Sequence, residues 1–298
     1  MKVIGIFPGG GAMGTISVSC WKALSLKLRR SIVDLVDLGV GTSVGSIIWG
    51  GLASGKIKTP DLLEVFKKEI PRTFRRRRGI YPKYTRKYLT RAMLDIFGPD
   101  FRLGDTVKDC IITAVRGETK RNHFFKSYQT KDGHLPLLEA ITRSYSAPYF
   151  FGKWVNKQAR ETWLDGGTGS MNCPIVAGIW EAIRKNWLGR ERVHVISIGT
   201  GYHSEERAFD KLRKMRMFKE VAMFLDPMDG GLARYQSLQD NIGAGNDLLD
   251  CVSDFTFQHV DVELDRRLCK IDGWKYIDEY IDLGQSMAEK IDLDNFKE

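Results

Sequence analysis

The stretch Asp37-Leu38-Gly39-Val40-Gly41-Thr42-Ser43-Val44-Gly45-Ser46 constrains this chain more than any other. An apolar run over 32–40 reads as a short buried strand, and it breaks at Gly41-Thr42-Ser43-Val44-Gly45. Beyond the break, Ile47, Ile48 and Leu52 resume at helical spacing, so the pattern is strand, sharp turn, helix. Gly-x-Ser-x-Gly carries meaning only in that context: the turn lifts the serine out, and glycines two residues either side clear space for neighbouring backbone. Ser43 would then stand at a helix N-terminus, where unpaired N–H groups and the helix dipole favour developing negative charge. The plainer alternative is a glycine-punctuated turn with a capping serine.

The chain begins with an apolar segment, Val3-Ile4-Gly5-Ile6-Phe7, that reads as a first strand. It ends in Pro8-Gly9-Gly10-Gly11-Ala12-Met13-Gly14 and leads into a helix through Trp21, Leu24 and Leu28. Two readings compete. Gly9, Gly11 and Gly14 satisfy the Gly-x-Gly-x-x-Gly dinucleotide fingerprint, with Asp34 or Asp37 about 20 residues on. Alternatively the loop is bare backbone whose N–H groups converge beside Ser43 to hold an oxyanion. A dinucleotide site has no need of a serine elbow in the following turn, which favours the second reading.

Further along, Thr162-Trp163-Leu164-Asp165-Gly166-Gly167 reads as a strand end delivering a carboxylate into a glycine turn. Asn172, Pro174 and a helix from Ile175 follow. A second Asp-Gly-Gly, at Asp229, has no strand leading into it, so Asp165 is the better candidate. Taken alone, either aspartate is more often a turn residue. Residues 109–115 and 122–128 read as consecutive strands, 137–151 as a helix ending near Pro148, and 192–201 as a buried strand. Residues 255–264 alternate like a half-exposed strand, and 274–290 read as a closing helix. Strands alternating with helices predict an α/β fold, a three-layer α/β/α sandwich with a mainly parallel central sheet. The 298 residues contain no long linker or repeat, so one domain over 1–298 is expected.

Lys and Arg number 46 against 37 Asp and Glu, a formal charge of +9 that will attract anionic surfaces. Much of that charge gathers in 72–91, where Arg72, Arg75, Arg76, Arg77, Arg78, Lys83, Arg86, Lys87 and Arg91 interleave with Phe74, Tyr81, Tyr84 and Tyr88. A second basic segment, 207–219, carries an apolar stripe through Phe209, Leu212, Met215 and Phe218. The first mixture suits an anionic membrane interface, single-stranded nucleic acid or a solvated face, while the second reads as an amphipathic basic helix that either docks onto core or lies on a bilayer surface. No stretch is apolar enough to span a bilayer, and the N-terminus lacks the apolar core and cleavage site of a signal peptide. The five cysteines are scattered, without a Cys-x-x-Cys pair. A cytoplasmic, reducing setting is therefore expected, with no disulfide framework, metal or cofactor.

Together these pieces resemble the patatin-like phospholipases, from Val3 to about Lys290. The resemblance rests on the Gly9–Gly14 loop, the Gly41–Gly45 elbow, the segment Thr142-Arg143-Ser144-Tyr145-Ser146-Ala147-Pro148, Asp165-Gly166-Gly167 with Asn172 and Pro174, and the turn Gly199-Thr200-Gly201. It implies a Ser43–Asp165 dyad without a catalytic histidine, acting as an acyl hydrolase on membrane phospholipids. Amides of Gly9, Gly10, Gly11 and Val44 would form the oxyanion hole, with Gly41, Gly45, Gly166 and Gly167 shaping the two turns. Pro8 and Met13 depart from the family, which usually has a polar and a basic residue there. A free aspartate, with a pKa of about 3.9, is a weak base, so Asp165 is expected in buried surroundings. His203 follows the Gly199–Gly201 turn and is expected to be dispensable. A nucleotide-binding module and a non-catalytic membrane- or nucleic-acid-binding protein remain the alternatives. Activation by a ligand such as a cyclic nucleotide, or by self-association, is left open, since no motif reads as a sensor.

Overall fold

The computed structural model describes residues 1–76, 81–203 and 232–297. In chain order the elements are β1 (Lys2–Phe7), α1 (Gly14–Leu28), β2 (Leu38–Thr42), α2 (Val44–Ala53), α3 (Thr59–Thr73), α4 (Lys87–Phe97), β3 (Asp109–Arg116), β4 (Arg121–Lys126) and α5 (Leu137–Ser144). They continue with β5 (Trp154–Asn156), β6 (Glu161–Asp165), α6 (Ile175–Arg184), β7 (Val193–Ile198), α7 (Leu232–Cys251), β8 (Phe255–Val260) and α8 (Ile277–Met287). The strands make one sheet in the order β5-β6-β3-β2-β1-β7-β8, with β4 paired to β3. From β3 to β8 every pairing is parallel; β4, β5 and β6 add an antiparallel flank. The expected α/β architecture with a mainly parallel sheet is what the chain forms.

Alternation along the strands divides the core between two faces. Ile4, Ile6, Leu38, Val40, Val193 and Val195 pack with Ile175, Ile179 and Ala182 of α6. Phe7, Ile112, Ile196 and Ile198 face the other way, toward Ile16, Trp21, Ile48, Trp49 and Ile281. On that second face β2 presents glycines in place of side chains. A Cβ on Gly39 would lie 2.3 Å from the Trp49 ring, and one on Gly41 would lie 2.6 Å from the Gly45 carbonyl oxygen. Their absence lets α2 fold straight back onto the strand that precedes it. Phe7 then stacks between Trp21 and Trp49, with ring centroids 4.9 and 5.2 Å away.

The register around β3 brings two distant segments together. Strand β2 pairs with 109–113 of β3, β4 with 111–116, and β6 with 114–116. Since β4 overlaps both of the others, β2 and β6 must share the opposite edge of β3, one after the other. They run head to head: Thr42 stands opposite Thr113, and Asp165 opposite Ala114. The residue after Thr42 is Ser43. Sheet register alone therefore delivers hydroxyl and carboxylate to the same spot.

Two sequence expectations need adjustment. The run 32–40 is not one strand: Ser31 accepts from the Asp34 N–H and caps a helical turn, Ile32–Leu35, before β2 begins. The helix expected over 137–151 stops at Ser144, and the Ser146 carbonyl accepts the Asp165 N–H instead of continuing a helical ladder. Segment 59–97 is less surface-like than its polarity suggests. Leu62, Phe66 and Ile70 of α3 and Leu89, Met93 and Phe97 of α4 are buried. The basic segment 207–219, the Arg77–Ile80 part of 72–91 and Asp229 lie outside the described residues. Among the described residues no helix is long and apolar enough to cross a membrane.

His194 lies on β7, fully buried, with Nδ1 2.9 Å from Thr256 Oγ1 and, among the described residues, no partner for Nε2. Burial pushes its pKa down from 6.5 to about 4, with Arg192 adding to the shift. The unfolded chain therefore binds the extra proton first, so stability is full above pH 6.5 and drains as pH falls toward 4. Between pH 7 and 4.5 the urea unfolding free energy should drop by roughly 2–3 kcal/mol from this residue. In His194→Leu that part of the pH dependence should vanish.

Candidate active site

Ser43 occupies the corner between β2 and α2 with φ 53° and ψ −120°. A serine in that region is strained by about 1–3 kcal/mol, so its surroundings must impose the geometry. They do so by closing on it. The Ser43 N–H donates to Ser144 Oγ at 2.8 Å, and the Ser43 carbonyl accepts from the Ser46 N–H and Oγ at 3.0 and 2.6 Å. Gly45 permits the corner to close: a Cβ there would lie 1.8 Å from the Phe7 carbonyl oxygen.

Asp165 ends β6 and is only 2% exposed. Its Oδ2 accepts the Ser43 hydroxyl at 2.6 Å, and its Oδ1 accepts the Gly167 N–H at 2.7 Å. Its own N–H donates to the Ser146 carbonyl at 3.1 Å. Gly166 fits beneath it against Thr113, where a Cβ would lie 2.3 Å from Thr113 Oγ1. Ser144 and Ser146 thus hold the backbones of both Ser43 and Asp165. The sequence alone shows no role for either, although both sit in the Thr142–Pro148 segment.

The glycine loop after β1 faces this pair. Gly10 and Gly11 line one pocket with Ser43, Asp165, Gly167 and Asn172. Among the described residues, the N–H groups of Gly10, Gly11 and Val44 have no hydrogen-bond partner. Gly9 departs from expectation: its N–H donates to the Asn172 carbonyl at 2.9 Å, and its carbonyl accepts Thr200 Oγ1 at 2.9 Å. Gly9 is spent on fixing the loop, which leaves Gly10, Gly11 and Val44 as available donors. Asp37 does not serve the dinucleotide alternative. It precedes β2 and accepts the Val3 N–H at 2.9 Å, so it stands at the opposite end of the strand from the loop.

A second, apolar cleft meets the first at Gly11, Ser43, Tyr145 and Phe151. It encloses about 720 Å³ with its open mouth included, running between Phe66 and Ile70 of α3 and Met93 and Phe97 of α4. Such an apolar lining is usual for a ligand pocket. No histidine lines either pocket, and His203 Nδ1 lies 2.9 Å from the Leu264 carbonyl instead. A hydroxyl hydrogen-bonded to a buried carboxylate, free amides facing it and an apolar cleft alongside form an arrangement suited to nucleophilic attack on an ester of an apolar acid. Among the described residues no group of three or more His, Cys, Asp or Glu could hold a metal ion.

The family model described as patatin-like phospholipase matches residues 6–179. A protein of Escherichia coli (strain TW11681) named cGAMP-activated phospholipase is 29% identical over 215 residues, covering 64% of this chain and 60% of the relative. An intracellular phospholipase A2 of Caenorhabditis elegans is 30% identical over 173 residues, covering 55% of this chain and 15% of the relative. The chain thus spans less than two thirds of either relative's length. Among solved structures, VipD from Legionella pneumophila aligns with 94% of this chain and 66% of its own, at a TM-score of 0.51 and 11% identity. That likeness concerns the fold.

Gly45→Ala should be among the most damaging single-methyl changes in the chain, because the Phe7 carbonyl cannot retreat without moving β1. A loss of about 1–3 kcal/mol or more is expected, read as a fall in thermal midpoint. Gly243→Ala, whose Cβ would meet nothing within 4 Å, is the control and should be neutral or stabilising.

Proposed function

From membership of the patatin-like phospholipase family, to which this chain belongs, we propose that it cleaves ester-linked fatty acids from membrane phospholipids through Ser43 and Asp165. The observation that carries this reading is the 2.6 Å hydrogen bond from Ser43 Oγ to Asp165 Oδ2, made where the apolar cleft meets the polar mouth. Ser43 Oγ attacks the ester carbonyl carbon while Asp165 takes its proton. The Gly10, Gly11 and Val44 amides hold the oxyanion, and the alcohol leaves with the proton that Asp165 returns. Asp165 then deprotonates a water that attacks the acyl-serine, freeing the fatty acid and restoring Ser43. The acyl chain lies in the cleft between α3 and α4. The whole chain, 1–298, acts as one catalytic unit.

We place the enzyme in the cytoplasm, on the face of an anionic membrane. Tyr81, Tyr88 and Tyr149 are exposed, as are Arg75, Arg76 and Lys87, and such a mixture of aromatic and basic groups favours the headgroup region. Segment 207–219 would add to that contact. A requirement for an activating ligand belongs to the same proposal; its support is the name cGAMP-activated phospholipase borne by the bacterial relative.

The test is purified protein on phosphatidylcholine and phosphatidylglycerol vesicles, with released fatty acid and lysolipid quantified. Ser43→Ala and Asp165→Asn should each cut turnover by on the order of 10³ or more, while His203→Ala keeps most of it. Turnover should rise with the anionic lipid fraction and fall with salt. An active Asp165→Asn beside an inactive His203→Ala would refute the dyad. Vesicle binding with no ester cleavage at an intact Ser43, with candidate cyclic nucleotides supplied, would favour the non-catalytic alternative.

A further inference from the structure

The loop facing Ser43 is held from a part of the chain far beyond the residues that match the family. The Ala12 N–H donates to the Ile271 carbonyl at 2.6 Å. Gly11, with φ +59°, packs against the same group: a Cβ there would lie 2.3 Å from the Ile271 oxygen. Ile271 also lines the mouth beside Gly10, Gly11 and Ser43. What fixes Ile271 is its neighbour. Asp272 Oδ2 accepts both Lys83 Nζ and Tyr84 OH, each at 2.5 Å.

Those two donors belong to the other wall of the mouth. The Lys83 and Tyr84 N–H groups donate to the Tyr149 and Phe150 carbonyls at 3.2 and 2.8 Å. The Lys83 ammonium lies 5.7 and 5.6 Å from the Tyr149 and Phe150 ring centroids, and Phe150 and Phe151 face Ile271 across the pocket. Burial alone would raise the Asp272 pKa, but the Lys83 and Tyr84 bonds hold it below the usual carboxylate range, so Asp272 is ionised at neutral pH. One carboxylate oxygen therefore joins the two walls, and the residue before it orients the glycine loop.

We propose that Asp272 is a positioning residue: with Lys83 and Tyr84 it forms a clasp across the mouth that presses the Ile271 carbonyl onto Ala12 and so aims the Gly10 and Gly11 amides at the oxyanion. The clasp rests on the oxyanion reading given above. It acts at a distance, through Ile271, and touches no substrate. Releasing it leaves the Ser43–Asp165 hydrogen bond in place and loosens only the donors opposite.

Two readouts separate this clasp from a structural role. In Asp272→Asn, amide hydrogen exchange in a peptide covering 9–16 should speed up, with exchange in 193–198 unchanged. Hydrolysis of p-nitrophenyl butyrate should lose about tenfold in kcat, less than the 10²–10³ expected for losing a donor outright, with KM within twofold. A trifluoromethyl ketone, which forms a tetrahedral adduct with the serine hydroxyl, should bind more weakly by the same factor. Tyr84→Phe, which removes one bond and keeps the ion pair, should show the same pattern at smaller amplitude, and it carries the test if Asp272→Asn does not fold. Unchanged exchange over 9–16, or a rise in KM with kcat intact, would overturn the clasp. The exchange experiment needs no turnover. A wild type inactive even with candidate cyclic nucleotides supplied would sink the proposed function, while the clasp would still stand or fall on exchange.

Discussion

One hydrogen bond, from the Ser43 hydroxyl to Asp165, sets the terms for everything around it. Its two partners are 122 residues apart in sequence, and neither is placed by a local contact with the other. They meet because β2 and β6 approach each other along one edge of β3 and both end there. That arrangement has a structural cost. Where the two strands stop, neither can extend its ladder, and the polar backbone exposed at the gap needs partners within the protein. Ser144 Oγ takes the Ser43 N–H and the Ser146 carbonyl takes the Asp165 N–H, so the end of α5 and the turn after it satisfy both strand ends. The same two bonds fix the spacing between hydroxyl and carboxylate. Arg86 extends this support outward by donating to Ser146 Oγ and the Gly152 carbonyl, which ties the basic segment to the back of the site.

Backbone clearance is the second constraint. The corner at Ser43 works only if α2 lies close to β1 and β2, and this sequence creates the closeness by omitting side chains. Gly39 and Gly41 admit Trp49 and the first turn of α2, while Gly45 admits the Phe7 carbonyl. The stacked rings of Trp21, Phe7 and Trp49 then fill what the glycines leave open. A strand weakened by glycine is here compensated by large aromatic surface on the same face, so the strained serine conformation is supported from beneath by core packing.

What could be read from the sequence divides along the same line. Strand–turn–helix patterns are local, so Ser43 and its flanking glycines were legible, as was Asp165 at a strand end before two glycines. The parallel sheet followed from the alternation of elements. Groups whose placement depends on distant partners were not legible. Gly9 looks equivalent to Gly10 and Gly11 in the sequence; only Asn172, brought alongside by the fold, takes its N–H out of use. The run 32–40 is apolar throughout, and only the Ser31 cap and the pairing register show that it divides into a helical turn and a strand. The basic run 72–91 invited a surface reading, yet Tyr84 and Phe74 are buried, Arg86 braces Ser146 and Lys83 meets Asp272. Charge counts cannot distinguish a solvated lysine from one fixed at a pocket mouth.

The absence of histidine from the pockets has a physical counterpart in what occupies them. A histidine between serine and aspartate would need room for an imidazole ring, but here the hydroxyl touches the carboxylate directly. The remaining space goes to Tyr145, Phe150 and Phe151 on one side and to the glycine loop on the other. A carboxylate acting alone is a weaker base than an imidazole at neutral pH, so proton transfer can supply less of the barrier reduction in the proposed reaction. More must then come from stabilising the oxyanion, and with Met13 buried where the family usually has a cation, that falls to main-chain amides. Their value depends on aim, since a hydrogen bond weakens steeply once it is bent or stretched. A loop of three successive glycines has little stiffness of its own. Its precision has to be imposed from outside, by Asn172 and Thr200 on Gly9 and by Ile271 on Ala12, and these contacts come from three separate regions of the chain. In the proposed reaction the glycine loop carries the greatest electrostatic demand, so the residues that steady it would matter to the chemistry as much as those that perform it.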